Sequence, residues 1–488
     1  MLSIRNGTTI TRSFSRGMAI ATNKDVLFNV LGSARTVTLN RPSKLNALTS
    51  QMCKDITPRL VEFGKSNAAN LIIIKSDSER AFCSGGDVVS CAKNNTLGFK
   101  GQSKSAEFFQ NEYSLNYLLS TYNKPVVAIA NGIVMGGGVG LSVHNPFRIV
   151  TETTRFAMPE SSIGFINDVG TSFWLPRLDG NIGIYLGLTG EELNGFDTLL
   201  AGFGTHYVPT SRLADLVDRL SSLNLTSLST SSNGSTFFNP NSNKELYPII
   251  NAAIEEFTQE IPKSHRFKFS SSELNTIENC FSSEHKTVES IIKSLEKDGS
   301  EFALATIGKL RSQSPLSVKL NLALLNRSRE STIHEAFTRE LKLAGKLMTL
   351  PSDFTSFVTS KLINKSSNIS SMYDTIESVP ESKIEELVSL DFYTDDSSLT
   401  NQVELINKLK INSFENQFIK DFNSYPHKMG LPTQSEIESF IKQGEFNYSQ
   451  VVNSFRDKYD DKSGVKAKVK LVLDRKCKSS VDGTLSWI

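Results

Sequence analysis

The chain has 488 residues, a formal charge of +2, and 39% hydrophobic against 21% charged residues. That length exceeds one ordinary core and argues for two or three domains, while the near-neutral balance excludes a global pull toward nucleic acid. Five scattered cysteines without a CxxC pair, and six histidines without an HExxH or HxxxH pair, argue against a disulfide framework or a metal site and for a reducing compartment.

The first 24 residues carry Arg5, Arg12, Arg16 and Lys24, many Ser/Thr, and no acid until Asp25. That is the composition of a mitochondrial transit peptide; a disordered basic start is the alternative. Residues 25–220 read as an α/β core. "VLFNVLGSARTVTLN" predicts two strands around a Gly-Ser turn. The apolar runs "LIIIKSD" (71–77) and "PVVAIANG" (125–132) predict buried parallel strands, with helices at 50–66 and 108–122 between and before them. Residues 221–245 are Ser/Asn-rich and read as a polar insertion. From 246 to 365 the pattern is helical, one helix opening at Ser314-Pro315. Residues 366–488 are more polar and form an extension. Within it, Val465, Ala467, Val469 and Leu471 alternate with Lys466, Lys468 and Lys470, which predicts a strand in the basic run 462–478. Such a strand is either a lysine-guarded edge or a contact for RNA or a partner. No apolar run is long enough to predict a membrane-spanning helix, so no membrane partner is expected. No fixed-period repeat is present.

The stretch "NGIVMGGGVGLSVH" (131–144) demands an explanation for its glycines. No Lys follows as a phosphate loop requires, and the G-x-G-x-x-G and G-x-S-x-G spacings are not met. Ser142 and His144 suit packing and local hydrogen bonding better than nucleophilic catalysis. A glycine-rich turn from a strand into a helix, however, bares backbone N–H groups for an anion or a developing oxyanion. "RAFCSGGDV" (80–88) supplies a second such turn, with Gly85 and Gly86 after another strand. Cys83 beside it reads as a small buried residue.

Together "LNRPSKLNALT" (39–49), "AFCSGGDV" (81–88), "KPVVAIANGIVMGGGVGLSV" (124–143) and "RFAMPESSIGFINDVGTSFWLPRL" (155–178) resemble the crotonase (enoyl-CoA hydratase/isomerase) superfamily. Within it, the fungal mitochondrial type of the 3-hydroxyisobutyryl-CoA hydrolase branch is the near match, over roughly residues 26–365. The resemblance implies a crotonase (ClpP-like) α/β spiral of ββα units with a helical C-terminal region. It implies an oxyanion hole from the N–H groups of Gly86 and Gly137. It places catalysis on Glu160, as base or nucleophile, with Asp168 as its partner. Glu112, Gly137, Glu160 and Asp168 would contact the acyl-CoA substrate. Water and carboxylates suffice for the reaction, so no metal or other cofactor is expected.

Three departures matter. Hydratases place a glutamate three residues after the second oxyanion glycine; here Gly140 stands there, which favours hydrolysis over hydration. Asn167 replaces the usual proline of "INDVG". The family's later segment D-F-x-E-G-V-R-A-x-L-x-D-K-D reads "DFTSFVTSKLINKS" (353–366), with Ser356, Thr359, Asn364 and Ser366 where Glu, Arg and two Asp are usual. Arg41 and Lys44 lie in a motif that lines the CoA adenine and phosphate site in the superfamily; solvated surface positions are the alternative. Phe173 and Trp174 fit the core or the acyl-pocket wall. The expected activity is hydrolysis of 3-hydroxyisobutyryl-CoA to the free acid and CoA in valine breakdown, in the mitochondrial matrix. The alternatives are an enoyl-CoA hydratase/isomerase, and a structural component of the mitochondrial small ribosomal subunit that fungal relatives resemble.

Overall fold

A two-strand ribbon opens the fold, and Gly32 turns it with φ +56°. Strands β1 (Val26–Leu31) and β2 (Ala34–Leu39) pair antiparallel, as the Gly-Ser turn predicts. The computed structural model describes residues 25–225, 243–392, 395–412 and 421–488. The basic segment 1–24 and most of the Ser/Asn-rich stretch (226–242) lie outside these described residues.

Helix α1 (Ser50–Lys65) leads to β3 (Leu71–Ser76), which runs parallel to β2. Then follow β4 (Ala81–Cys83), α2 (Val88–Asn95), α3 (Phe99–Ser120), β5 (Val126–Ala130), β6 (Ile133–Met135), α4 (Gly137–Ser142), β7 (Phe147–Val150) and β8 (Arg155–Ala157). Two short strands, β9 (Leu193–Asn194) and β10 (His206–Tyr207), complete two sheets. The larger has the order β1-β2-β3-β5-β7-β10, the smaller β4-β6-β8-β9. The chain therefore alternates: β3, β5 and β7 enter the large sheet, and β4, β6 and β8 enter the small one. This is the spiral of ββα units that the resemblance implied. Every residue of β5 is buried, which accounts for its unbroken apolar run.

Helices cover both faces of the large sheet. Leu246, Ile250 and Ile254 of helix Asn243–Glu255 pack on Ile73, Val127 and Ile149. The helix Pro315–Ser328 starts where predicted, its Ser314 hydroxyl accepting from Ser317 N at 3.1 Å. Helix Ile333–Thr349 carries a capping box from Thr332 and Glu335 and packs along α3.

One expectation for the C-terminal region needs correction, the strand in the basic run. The main core continues past residue 365, through Ile376, Ile384, Leu387, Ile406 and Ile411. A separate, smaller core forms only from Ile437 to Leu485. The basic run is a helix, Val465–Lys476, followed by a short strand Cys477–Ser479. Its apolar residues also satisfy helical spacing, since Val465, Val469, Val472 and Leu473 share one buried stripe. Four of the seven cations in the run 462–478 are engaged within the molecule, while Lys466, Lys470 and Lys478 are exposed. Lys462 pairs with Glu255 at 2.8 Å, Lys468 with Asp179 at 2.9 Å, and both Arg475 and Lys476 with Glu278. These residues fasten the C-terminal region to the body of the same molecule.

Candidate active site

The small sheet delivers the site. β4, β6 and β8 are adjacent and parallel, and the segments leaving their carboxyl ends carry Gly86, Gly137 and Glu160 in turn. At the first, Leu48 N donates to Gly85 O and Asp87 N donates to Leu48 O, both at 2.8 Å. In a parallel bridge of this kind the flanking residues do the pairing, so the N–H of Gly86 itself points the other way. Asn46, fully buried with φ +55°, braces this turn from behind. Its amide donates to Ser76 Oγ at 2.7 Å and to the Ala81 and Phe82 carbonyls at 3.1 Å. Arg41 adds an ion pair to Asp87 at 3.1 Å. Arg41 is thus engaged with the turn, while Lys44 is exposed.

At the second turn, Gly136 has φ +46° and Gly137 opens α4. The first N–H groups of a helix have no partner within it, so the Gly137 N–H is presented outward. The two turns abut: a Cβ on Gly85 would stand 3.9 Å from Gly137 N. Glu112 of α3 faces both. A Cβ on Gly137 would lie 2.2 Å from Glu112 Oε1, and one on Gly86 would lie 3.5 Å from Glu112 Oε2 and 2.8 Å from Phe108 Cζ. A side chain at either point would have to push Glu112 or Phe108 aside.

Glu160 begins a short 3-10 turn (Glu160–Ile163), with Oε1 3.1 Å from where a Gly136 Cβ would stand. Asn167 Nδ2 donates to its Oε2 at 3.0 Å, and Asn167 N donates to Asn321 Oδ1 at 2.7 Å. A proline at 167 could make neither bond. Asp168 Oδ2 accepts from the Tyr113 hydroxyl at 2.6 Å. Its loop is held by Glu340 of helix Ile333–Thr349, which accepts from Gly170 N at 2.6 Å and Ser172 N at 3.1 Å.

The five expected site residues are brought together, with Glu112, Glu160 and Asp168 buried close enough to act on one another and Gly86 half-buried. The three carboxylates cannot ionise independently there. Burial, then repulsion from Asp168 and Glu160, pushes Glu112 well up from the usual carboxylate range. Glu160 is raised by burial and by Asp168, against the opposing bond from Asn167. Burial lifts Asp168 to about 7, although the Tyr113 bond favours its ionised form. The cluster thus holds protons near neutrality and can both take and return one. Glu112 Oε1 is buried with no hydrogen-bond partner within the protein. Among the described residues, no three His, Cys, Asp or Glu side chains are disposed to hold a metal ion.

Gly140 stands against α3 and the Asp168 loop. A Cβ there would lie 2.5 Å from Val169 Cβ and 2.6 Å from Asn116 Nδ2, so no side chain fits. Ser142 bonds locally to the Gly138 and Val139 carbonyls, as expected. His144 does not bond locally: its ring nitrogens reach Val169 O and the Tyr425 hydroxyl, each at 2.8 Å. Phe173 and Trp174 are core residues, packed on Tyr425 and Phe422 and on Phe156 and Phe203 respectively. Cys83 is fully buried, and burial pushes its thiol up to about 12.

The sequence profile described as enoyl-CoA hydratase/isomerase matches residues 34–388. The chain belongs to the enoyl-CoA hydratase/isomerase family. A carnitinyl-CoA dehydratase structure from Mycobacterium thermoresistibile shares the crotonase fold, with a TM-score of 0.64 at 28% identity over 75% of this chain and 97% of that one. The small ribosomal subunit protein mS47 of Neurospora crassa is 37% identical over 463 residues, covering 93% of this chain and 85% of that protein. The mitochondrial 3-hydroxyisobutyryl-CoA hydrolase of Danio rerio is 36% identical over 386 residues, covering 79% of this chain and 95% of that protein.

Four residues of this crotonase-fold site were not read from the sequence: Asn46, Tyr113, Asn167 as a donor to Glu160, and Glu340. Tyr113 directly follows Glu112 in "NEY", which was the available signal. Glu340 lies 170 residues from its partner Gly170, and nothing local marks it.

Proposed function

We propose that this protein is a mitochondrial acyl-CoA thioester hydrolase acting on 3-hydroxyisobutyryl-CoA. The convergence of Glu112, Glu160 and Asp168 on the two glycine turns carries the reading. The N–H groups of Gly86 and Gly137 would hold the thioester oxygen as it gains negative charge; losing one such donor costs on the order of 10²–10³ in rate. Glu160 is the base or nucleophile, and Asp168, with its proton near neutrality, exchanges the proton. Glu112 binds the hydroxyl end of the acyl group through its unpartnered oxygen. Water completes the hydrolysis without a metal or redox cofactor. Gly140 supports hydrolysis over hydration, because the second acid of a hydratase has no room there. One purified sample assayed for CoA release and for enoyl-CoA hydration tests this reading. CoA release without hydration is expected; hydration alone overturns it.

A second role rests on a specific observation. Similarity to the Neurospora mS47 protein spans 93% of the chain, beyond the residues 34–388 of the family profile. Association with the mitochondrial small ribosomal subunit is therefore proposed as well, with the C-terminal region as the contact.

A further inference from the structure

Asp168 sits beside an unfavourable piece of backbone. Val169 is β-branched yet has φ +55°, a conformation that such residues adopt only when their surroundings impose it. Its carbonyl lies 2.8 Å from His144 Nε2. A carbonyl oxygen can only accept, so Nε2 must carry the hydrogen. Burial lowers His144 to about 4, so the ring is neutral and has one N–H. Nδ1 is then the acceptor, and the Tyr425 hydroxyl 2.8 Å away must be its donor. Tyr425 thereby selects the tautomer that grips Val169.

Tyr425 lies past residue 388, beyond the family profile. Its segment is seated firmly. The Tyr425 ring packs on Phe173 and Phe422, with centroids 5.4 Å apart in both pairs. Arg177 Nη2 donates to Asn423 O at 3.2 Å, and His427 Nε2 donates to His144 O at 3.2 Å.

We propose that Tyr425 and His144 are positioning residues for Asp168: the C-terminal segment 421–427 holds the strained Val169 backbone, and with it the Asp168 carboxylate, in its working place. As a statement about catalysis this rests on the hydrolase reading. The geometry of the relay stands apart from it.

The test compares wild type, Tyr425→Phe, Asp168→Asn and the double variant with 3-hydroxyisobutyryl-CoA. Tyr425→Phe keeps the ring packing and removes only the donor. A displacement of Asp168 by a fraction of an ångström is expected to lower kcat about tenfold with KM little changed. In the Asp168→Asn background the same change should cost nothing further. An unchanged kcat in Tyr425→Phe overturns the proposal, and so does an equal loss in both backgrounds, which is the mark of a merely structural role. Nitrogen NMR of histidine-labelled protein, with His144 assigned through His144→Gln, gives a readout independent of activity. Hydrogen on Nε2 is expected in the wild type, with the Nδ1 signal moving in Tyr425→Phe; hydrogen on Nδ1 in the wild type overturns the relay. If the wild type does not cleave the thioester, the hydrolase reading fails, and the tautomer alone decides the relay.

Discussion

Three carboxyl groups in one buried space share their protons, and this sets what substitutions at each should do. Asp168→Asn and Glu160→Gln are expected to lower thioester turnover by on the order of 10²–10⁴, read as CoA release. Stability should move the other way. Burial raises Asp168 from 3.8 to about 7, so the folded state favours the protonated form. The contribution of this group is fullest below its unfolded value and is lost as pH rises through about 7. Asp168→Asn should therefore melt above wild type at about pH 8, with the difference shrinking toward about pH 5. Asn167→Ala removes the donor to Glu160, whose proton is then held more tightly. The alkaline shift of its pH–rate profile is the expected outcome, and an unmoved profile would show that the bond does not tune Glu160. Gly140→Glu should yield no hydratase and a lower melting temperature, because its Cβ meets Val169 and Asn116. Gly86, Gly137, Glu112, Glu160 and Asp168 were expected only through the family resemblance, whose motifs are short and contiguous. Tyr113, Glu340 and His144 act through partners 55, 170 and 281 residues away, and single-sequence reading carries no such pairing.

At the scale of elements, strands were legible where burial on both faces left unbroken apolar runs, as in β3 and β5. The helix at Ser314-Pro315 was legible from its cap. The C-terminal helix Val465–Lys476 was misread, because its apolar residues fit a period of two nearly as well as one of 3.6, and only packing separates them. Its lysines looked like a surface for another molecule, whereas Lys468, Arg475 and Lys476 meet Asp179 and Glu278 of the body. Glu278→Gln leaves two cations without their partner and removes the anion that Gln434 also reaches at 3.0 Å. Faster release of a C-terminal fragment in limited proteolysis is expected, and added salt should speed it in wild type too. Equal cleavage rates would mean that apolar packing alone holds the region.

For the whole molecule, the position of the cut decides what a truncation can teach. Ending the chain at residue 365 removes Ile376, Ile384, Leu387 and Ile406 from the main core and would report misfolding. Ending it at residue 428 keeps that core and Tyr425 while removing the smaller cluster from Ile437 onward. Full-length protein is expected to sediment with mitochondrial small ribosomal subunits and the shorter chain to migrate freely; free migration of both would remove the ribosomal role. The alternation of the chain between two sheets has a consequence for the chemistry itself. Gly86, Gly137 and Glu160 leave neighbouring parallel strands, so their separation is measured out by main-chain hydrogen bonding at about 4.8 Å per step. That ruler is indifferent to side chains and to the length of the connecting helices. A position off the strands can differ, as Gly140 of α4 does, while the grip on a carbonyl oxygen keeps its dimensions.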